Sequence, residues 1–303
     1  MQNMNKKIII GVDHGYGNMK TAHRVFQTGV EAMEEEPIVS TNFVKYKEKY
    51  YVIGESHLVY QGNKTESEDF RILTLAALAE EMKFRGLREA NVILAVGLPL
   101  AWMKSQGADF RNYLMKEQEL HFEFRRERYH VHLCSVDVFP QGFAAIVNVG
   151  AMQGMNMLAD IGNGTMNVMQ IVDNKPLEKS LVTDKFGVGI CMKEIQKELS
   201  KERGEEIPEM LIEPLLRNGI QGRKDDTARK IARIAGKYAA DIMKRLIDYG
   251  YKEGLVHLYV IGGGACLLKN YTDLIDKPEV TFISDICANA KGYEYLAEKK
   301  PRR

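Results

Sequence analysis

Two seven-residue stretches of this chain are built alike. Asp13-His14-Gly15-Tyr16-Gly17-Asn18-Met19 and Asp160-Ile161-Gly162-Asn163-Gly164-Thr165-Met166 share the pattern D-x-G-x-G-x-M, 147 positions apart. Each follows an apolar lead, Ile8-Ile9-Ile10 in the first and Met157-Leu158 in the second. Taken singly, such a stretch reads equally as a tight hairpin whose acid caps its own backbone, and short glycine motifs match often by chance. Two copies with the same letters at the same offsets point to a chain of two related halves.

At 303 residues and 45% hydrophobic content the chain has material for one large or two medium domains with buried cores. Its 42 basic and 41 acidic residues leave a net charge of +1, so no overall field draws it to nucleic acid or an anionic membrane. Any link to DNA is expected to run through a partner. Apolar runs such as residues 91–103 fall short of the roughly 18–20 residues of a membrane span. The opening "MQNMNKK" leads into a strand without a signal-peptide core, and a cytoplasmic location is expected. Cys134, Cys191, Cys266 and Cys287 form no C-x-x-C pair and read as four buried thiols in a reducing compartment.

The pattern along the chain predicts a β-hairpin over "KKIIIGVD" and "NMKTAHRVF", with Gly15 and Gly17 in its turn. Short alternating pieces follow at 36–56, broken by a turn at "KEK". A helical stripe at 70, 73, 77, 78 and 82 predicts a helix from Asp69 to about Arg85, and a buried strand then runs to Pro99. Residues 120–139 alternate as strands, and "PQGFAAIVNVGAMQG" predicts a helix closed by glycine. The second half restarts with its own hairpin, then helices over "ICMKEIQKELSKE" and residues 225–250. The longer one carries Ile231, Ile234, Ala235, Tyr238, Ile242 and Leu246 on one stripe, with Asp225 and Asp226 suiting its start and Gly250 its end. "HLYVI" precedes Gly262-Gly263-Gly264 and a helix, "CANAKGYEYLAEK" predicts a closing helix, and "KKPRR" a frayed tail.

The glycines and acids have a common chemical reading. Turn amides that approach a phosphate closely leave no room for Cβ atoms, and glycine also permits a positive φ. Gly15, Gly17, Gly162 and Gly164 fit that demand, and Lys20 on the first return strand supplies a cation for phosphate oxygens. Asp13 and Asp160 would repel phosphate directly, so their expected role is to hold a hydrated Mg²⁺ and water. Gly262 to Gly264 either let a base or sugar pack against bare backbone or mark close internal packing.

In order, "GVDHGYGNMK", "VDVFPQGFAAIVN", "LADIGNGTMNVMQ", "VIGGGACLL" and "DICANAKGYEYL" resemble the phosphate, connecting-helix and adenosine motifs of the actin, chaperone and sugar-kinase ATPase superfamily. The resemblance spans residues 8 to 297 and is most similar to the plasmid-segregation actins, the ParM or StbA family, which share the "YYVIGE" and "GLPL" stretches. It implies an α/β, actin-like (ribonuclease H-like) duplicated fold with two domains around a nucleotide cleft. The expected domains are 1–150, with a small β-rich insertion about 30–67, and 151–303, with a helical insertion about 184–254 and a last helix, 286–298, packing back on the first domain.

The resemblance also implies roles. Asp13, Asp160 and Gln141 would be catalytic, and Asp13 with Asp160 would hold the metal. Gly15, Tyr16, Gly17, Asn18, Lys20, Gly162, Asn163, Gly164, Thr165, Gly187, Gly189, Gly262, Gly263 and Gly264 would contact nucleotide. Gln141 stands where many ParM-like proteins have glutamate; an amide cannot accept a proton as a carboxylate does, so it is expected to orient the attacking water. The alternative is a residue that merely caps the helix after Pro140. Gly187 and Gly189, in "DKFGVGICMKEI", either line the ribose or only open a helix. The implied activity is ATP- or GTP-driven assembly with Mg²⁺ into filaments that segregate plasmid DNA, through a DNA-binding adaptor on a centromere-like site and without direct nucleic-acid or membrane binding. A small-molecule, sugar-type kinase is the alternative, and Gln141 argues against it because that chemistry needs a carboxylate base.

Three further signals read as structural. His130 and His132 share one face of a strand as metal ligands would, but no third ligand is apparent and a half-solvated edge is expected. "RRER" at 125–128 lies in an alternating strand region with Glu123 and Glu127 and reads as solvated strand. Met152, Met155 and Met157 are expected in the core.

Overall fold

The apolar lead of each repeated motif becomes an inner strand of a sheet. The structure, a computed structural model, describes residues 7–55, 58, 63–147 and 152–301. In chain order the first part contains β1 (Lys7–His14), β2 (Asn18–Thr21), β3 (Val25–Gln27), β4 (Val30–Met33), β5 (Phe43–Tyr46), β6 (Lys49–Ile53), α1 (Asp69–Phe84), β7 (Glu89–Leu98), α2 (Met103–Leu114), β8 (Glu119–Phe124), β9 (Glu127–Pro140) and α3 (Phe143–Ile146). There follow β10 (Met155–Ile161), β11 (Met166–Val172), β12 (Lys175–Pro176), β13 (Val182–Asp184), α4 (Val188–Arg203), α5 (Glu209–Asn218), α6 (Asp226–Asp248), β14 (His257–Ile261), α7 (Gly263–Tyr271), β15 (Val280–Phe282) and α8 (Ala288–Lys299). The described residues divide into two compact units: those up to 147 together with 287–301, and 152–286.

The first unit is built on a sheet of order β3-β2-β1-β7-β9-β8-β5-β6-β4, in which β1, β7 and β9 run parallel. The parallel strands are the most continuous apolar runs, "IIIGV" and "NVILAVGL", because both of their faces are covered. The second unit has the order β12-β11-β10-β14-β15, with β13 also pairing β11, and here β10, β14 and β15 run parallel. Each unit therefore repeats one plan: an antiparallel return strand, the hairpin strand, then two parallel strands.

Several expectations are corrected. The strand expected to residue 139 runs to Pro140, paired with β7, and the helix expected over 140–154 is confined among the described residues to Phe143–Ile146, residues 148–151 lying outside them. The first return strand breaks at residues 22–24 and reverses into β3, because Thr21 accepts from the amides of His23 and Arg24. The α1 helix is not a one-sided stripe: Phe70 through Ala79 are all buried, so it is a core helix. Residues 125 and 126 form a hairpin turn with φ of 50° and 64°, the primed-turn geometry that suits twisted strands. Cys191 and Cys287 are buried, but Cys134 and Cys266 are only half-buried. Met152 and Met157 are core, whereas Met155 is exposed. Lys300 in the expected frayed tail pairs with Asp137 at 2.5 Å, and residues 302–303 lie outside the described set. Helices α2 and α5 have no counterpart in the sequence reading. No helix among the described residues is long and apolar enough to cross a membrane.

The last helix, α8, lies against β1, β7 and α3 within the first unit. It comes so close because glycines meet backbone there. A Cβ on Gly292 would stand 1.9 Å from the Ala144 carbonyl oxygen, and one on Gly11 would stand 2.0 Å from that of Ala290. Glu294 accepts from the Gly11 amide (2.9 Å) and from Arg85 (2.6 Å), whose Nε donates to buried Glu81 (2.8 Å). Burial pushes the Glu81 carboxyl up, but donation from Thr21, His23 and Arg85 outweighs it and leaves the group below its ordinary range. Glycine to alanine in an open helix interior stabilises by about 0.5–1 kcal/mol. At Gly292 the clash is with backbone, so Gly292→Ala is expected to reverse that sign and cost about 1–3 kcal/mol, read as a lower urea midpoint.

Candidate functional site

Both repeated acids sit at the carboxyl ends of inner strands, the edge where open α/β sheets bind ligands. Asp13 ends β1 opposite Lys20, and Asp160 ends β10 opposite Asn167, the same register in both hairpins. Both carboxylates are nearly buried, Asp13 at 2% exposure and Asp160 at 5%. In the first unit three groups meet. Lys20 Nζ lies 3.2 Å from Asp13 Oδ2, and Gln141 Nε2 donates to Asp13 Oδ1 at 3.1 Å. Gln141 is not on a helix: it occupies the turn between β9 and α3, with its amide bonded to the Leu98 carbonyl (2.8 Å). The helix-cap reading fails in detail, since the residue at the helix start is Gly142, with φ of 81° and its amide donating to Asn289 of α8 (2.8 Å).

The first turn is anchored from below by residues the sequence did not mark. Lys64 Nζ donates to the His14 carbonyl at 2.6 Å, and its ammonium lies 5.6–6.0 Å from the ring centres of Tyr16, Phe70 and Phe110. Thr28 Oγ1 donates to the Tyr16 carbonyl at 2.6 Å, and the Gly17 carbonyl accepts from the Thr28 amide at 3.3 Å. Asn18 opens β2 opposite Gln27. His14 turns inward, with Nε2 bonded to Thr74 Oγ1 at 2.8 Å. Burial foremost, and then the Lys64 charge, hold its imidazole well below the ordinary 6.5, against a smaller upward pull from the Val12 backbone. Lys64 falls in the polar stretch "GNKTES", and nothing in that composition separates an anchor from a loop lysine.

The second turn is held by a helix start. The Gly162 amide donates to the Thr165 carbonyl (2.8 Å); the amides of Val188 and Gly189, at the start of α4, donate to the carbonyls of Gly162 and Asn163, each at 2.9 Å. A Cβ on Gly187 would lie 2.2 Å from the Asn163 oxygen, and one on Gly189 2.9 Å, so both glycines are explained by docking of this loop on the turn. Tyr238 of α6 donates to the Gly187 carbonyl at 2.7 Å, and Arg245 bonds Asp184 at 2.6 Å while covering the Phe186 ring. Tyr238 was legible only as part of a core stripe.

Two expectations about glycine are corrected. Gly15 and Gly162 do not adopt positive φ, and Gly17 and Gly164 are not among the positive-φ glycines; what Gly15 needs is space, since its Cβ would stand 2.6 Å from the Asn18 oxygen. In the triple glycine, Gly262 alone is left-handed, with φ of 80°. Its Cβ would meet the Ile161 oxygen at 2.6 Å and Asp160 Oδ1 at 3.1 Å, Gly264 backs onto the Ile161 side chain at 2.4 Å, and Gly263 faces Val188 at 3.3 Å. These contacts favour internal packing for Gly264 and place Gly262 beside the second acid.

Comparison with known proteins agrees with the fold and the order of its two units. Residues 11–143 match the family model described as the N-terminal domain of actin-like proteins, and residues 158–273 match the archaeal actin homologue MreB-like C-terminal model. An archaeal actin homolog of Thermoplasma volcanium is 25% identical, covering 96% of this chain and 99% of that protein, and one of Thermoplasma acidophilum is 23% identical with the same coverage. Among solved structures, an archaeal actin homolog in complex with ADP superposes with a TM-score of 0.76 at 19% identity, covering 97% of this chain and all of the other. A subunit of a 15-stranded ParM filament from Clostridium botulinum gives 0.75, also at 19% identity and with the same coverage.

The buried histidine gives a pH prediction. Its folded-state value is depressed, so below about 6.5 the unfolded chain binds a proton that the folded chain refuses, and stability falls as pH falls. Between pH 6.5 and 5 this one group should remove up to about 1.4 kcal/mol per pH unit. The difference in urea stability between the parent and His14→Asn should show that slope, and parallel pH profiles would contradict it.

Proposed function

Because the chain belongs to the actin-like proteins, matched over residues 11–143 and 158–273, we propose that it binds and hydrolyses ATP, or GTP, with Mg²⁺ and assembles into filaments as it does so. The observation that carries this reading is the acid-bearing hairpin repeated in identical register at the carboxyl edge of both sheets, with Lys20 and Gln141 converging on Asp13. Turn amides and Lys20 take the phosphates. Gln141 gives its amide hydrogen to Asp13 and so keeps its carbonyl oxygen to orient a water, a positioning role that suits phosphoryl transfer. Within its own unit each hairpin acid, Asp13 or Asp160, is a nearly buried carboxylate at a strand end and offers a hard oxygen donor of the kind a magnesium ion takes. When bound, the ion neutralises charge on the phosphate oxygens.

An ADP complex of an archaeal actin homolog and filaments of ParM, proteins of the same fold, support nucleotide binding and self-association respectively. Plasmid DNA carried through a DNA-binding adaptor is the cargo we infer, on the likeness to ParM. A small-molecule kinase is disfavoured by Gln141, whose amide is committed as a donor to Asp13 and cannot deprotonate a substrate hydroxyl.

Purified chain with Mg²⁺ and ATP or GTP should raise right-angle light scattering and sediment as polymer. Tight nucleotide binding without any sedimenting species would remove the filament while leaving the ATPase. Asp160→Ala is expected to abolish phosphate release, and Gln141→Ala to slow it about tenfold or more with nucleotide affinity little changed. Undiminished release from Asp160→Ala takes that residue out of the mechanism.

A further inference from the structure

Three of the chain's seven histidines stand on one face of the β8–β9 ladder, in the first unit. Strand alternation explains why. Along β8, Leu120, Phe122 and Phe124 point into the core and Glu119 and His121 point out; along β9, Tyr129, Val131 and Leu133 point in and His130 and His132 point out. The antiparallel register sets Glu119 opposite His132 and His121 opposite His130. The rings of His121 and His130 stack with centres 4.2 Å apart and planes 12° from parallel. Glu119 lies diagonally between the pairs, with Oε2 2.9 Å from His130 Nε2 and Oε1 2.5 Å from His132 Nδ1. Ligand atoms of Glu119, His121 and His130 all fall within 4.8 Å of one another.

We propose that Glu119, His121 and His130 form a surface zinc site, with His132 holding the Glu119 carboxylate in place. Two imidazoles and a carboxylate suit Zn²⁺ rather than Mg²⁺, which asks for oxygen donors throughout. Zinc–ligand bonds of about 2.0–2.1 Å put tetrahedral donors about 3.3 Å apart. Exposed side chains reach that spacing by rotation alone, and the backbone spacing is fixed by the ladder. The ion would replace the direct Glu119–His130 hydrogen bond, and water would complete the tetrahedron. His132 then acts as a carboxylate partner outside the ligand set, the arrangement that sets ligand direction in metal sites. The site is chemically separate from the hairpin acids: its donors are borderline nitrogen ligands and theirs are hard oxygens. What the sequence lacked was the third ligand, which cross-strand register supplies.

The test is calorimetric titration of the full, untagged chain with ZnCl₂ in the absence of nucleotide and Mg²⁺, with Co²⁺ as a visible-absorption reporter of tetrahedral nitrogen ligation. One equivalent of Zn²⁺ is expected to bind. His121→Ala and His130→Ala should each weaken it by about 100-fold, and His132→Ala by about tenfold. Circular dichroism checks that these surface variants remain folded. Zinc binding that the His121→Ala/His130→Ala double variant retains at parent affinity, or no stoichiometric binding by the parent, overturns the proposal.

Discussion

Direct backbone-to-backbone contact at a few glycines fixes the distances on which the rest depends. At Gly11, Gly292 and Gly187 the space a methyl group would need is already taken by a carbonyl oxygen of Ala290, Ala144 or Asn163. Side chains between two elements leave slack of an ångström or more, because rotamers can adjust. Backbone against backbone leaves none. In the first unit this lets α8 reach both the hairpin strand and the segment after β9. The Asn289 side chain then receives the Gly142 amide, which sets the turn carrying Gln141. In the second unit the same device seats the start of α4 on the turn beyond Asp160, with two amide hydrogen bonds as the lock.

The two hairpins are duplicates in register but not in support. Asp13 faces a cation, Lys20, whereas the equivalent partner of Asp160 is Asn167, which bonds Thr183 instead. The first turn rests on side chains, Lys64 and Thr28, and the second on helix amides. A lysine donating upward into a turn and amides at a helix start both bring positive charge beneath a loop, so each half arrives by its own route at a field that favours phosphate. This divergence has a physical reason. A duplicated motif must keep its ligand-facing atoms, but whatever lies behind the turn is free to vary so long as the carbonyls there find donors.

Much of the plan was legible because it is periodic or repeated. The D-x-G-x-G-x-M pair gave both hairpins and their acids, and the stripe from Ile231 to Leu246 gave α6 with its buried face and its Asp225 cap. The strand order was not legible. That β7 runs parallel beside β1 and β9 beside β7 depends on pairings such as Ile8 with Val92 and Glu89 with His130, far apart in the chain, and local patterning carries no such information. The strand expected through Phe139 formed, paired with β7, and the helix expected after it starts only at Phe143, once that pairing has ended at Pro140. Lys64, His14 and Thr74 were invisible because a buried polar group announces itself only through its partners. The positive φ expected at Gly15 was wrong in mechanism, although the residue type was right: the glycine is required by the nearness of the Asn18 oxygen.

The lysine under the first turn also explains why His14 must be neutral. A protonated imidazole there would place a second cation near the Lys64 ammonium, inside a wall made by Phe70 and Phe110, where little solvent screens the repulsion. Only one of the two can hold a charge. A carbonyl and three ring faces receive the Lys64 ammonium, and its charge adds to burial in holding the imidazole neutral. The imidazole stays uncharged and is fixed by its hydrogen bond to Thr74. Charging His14 would therefore set the strand end that carries Asp13 against its own anchor, and the turn after it would lose the support of Lys64.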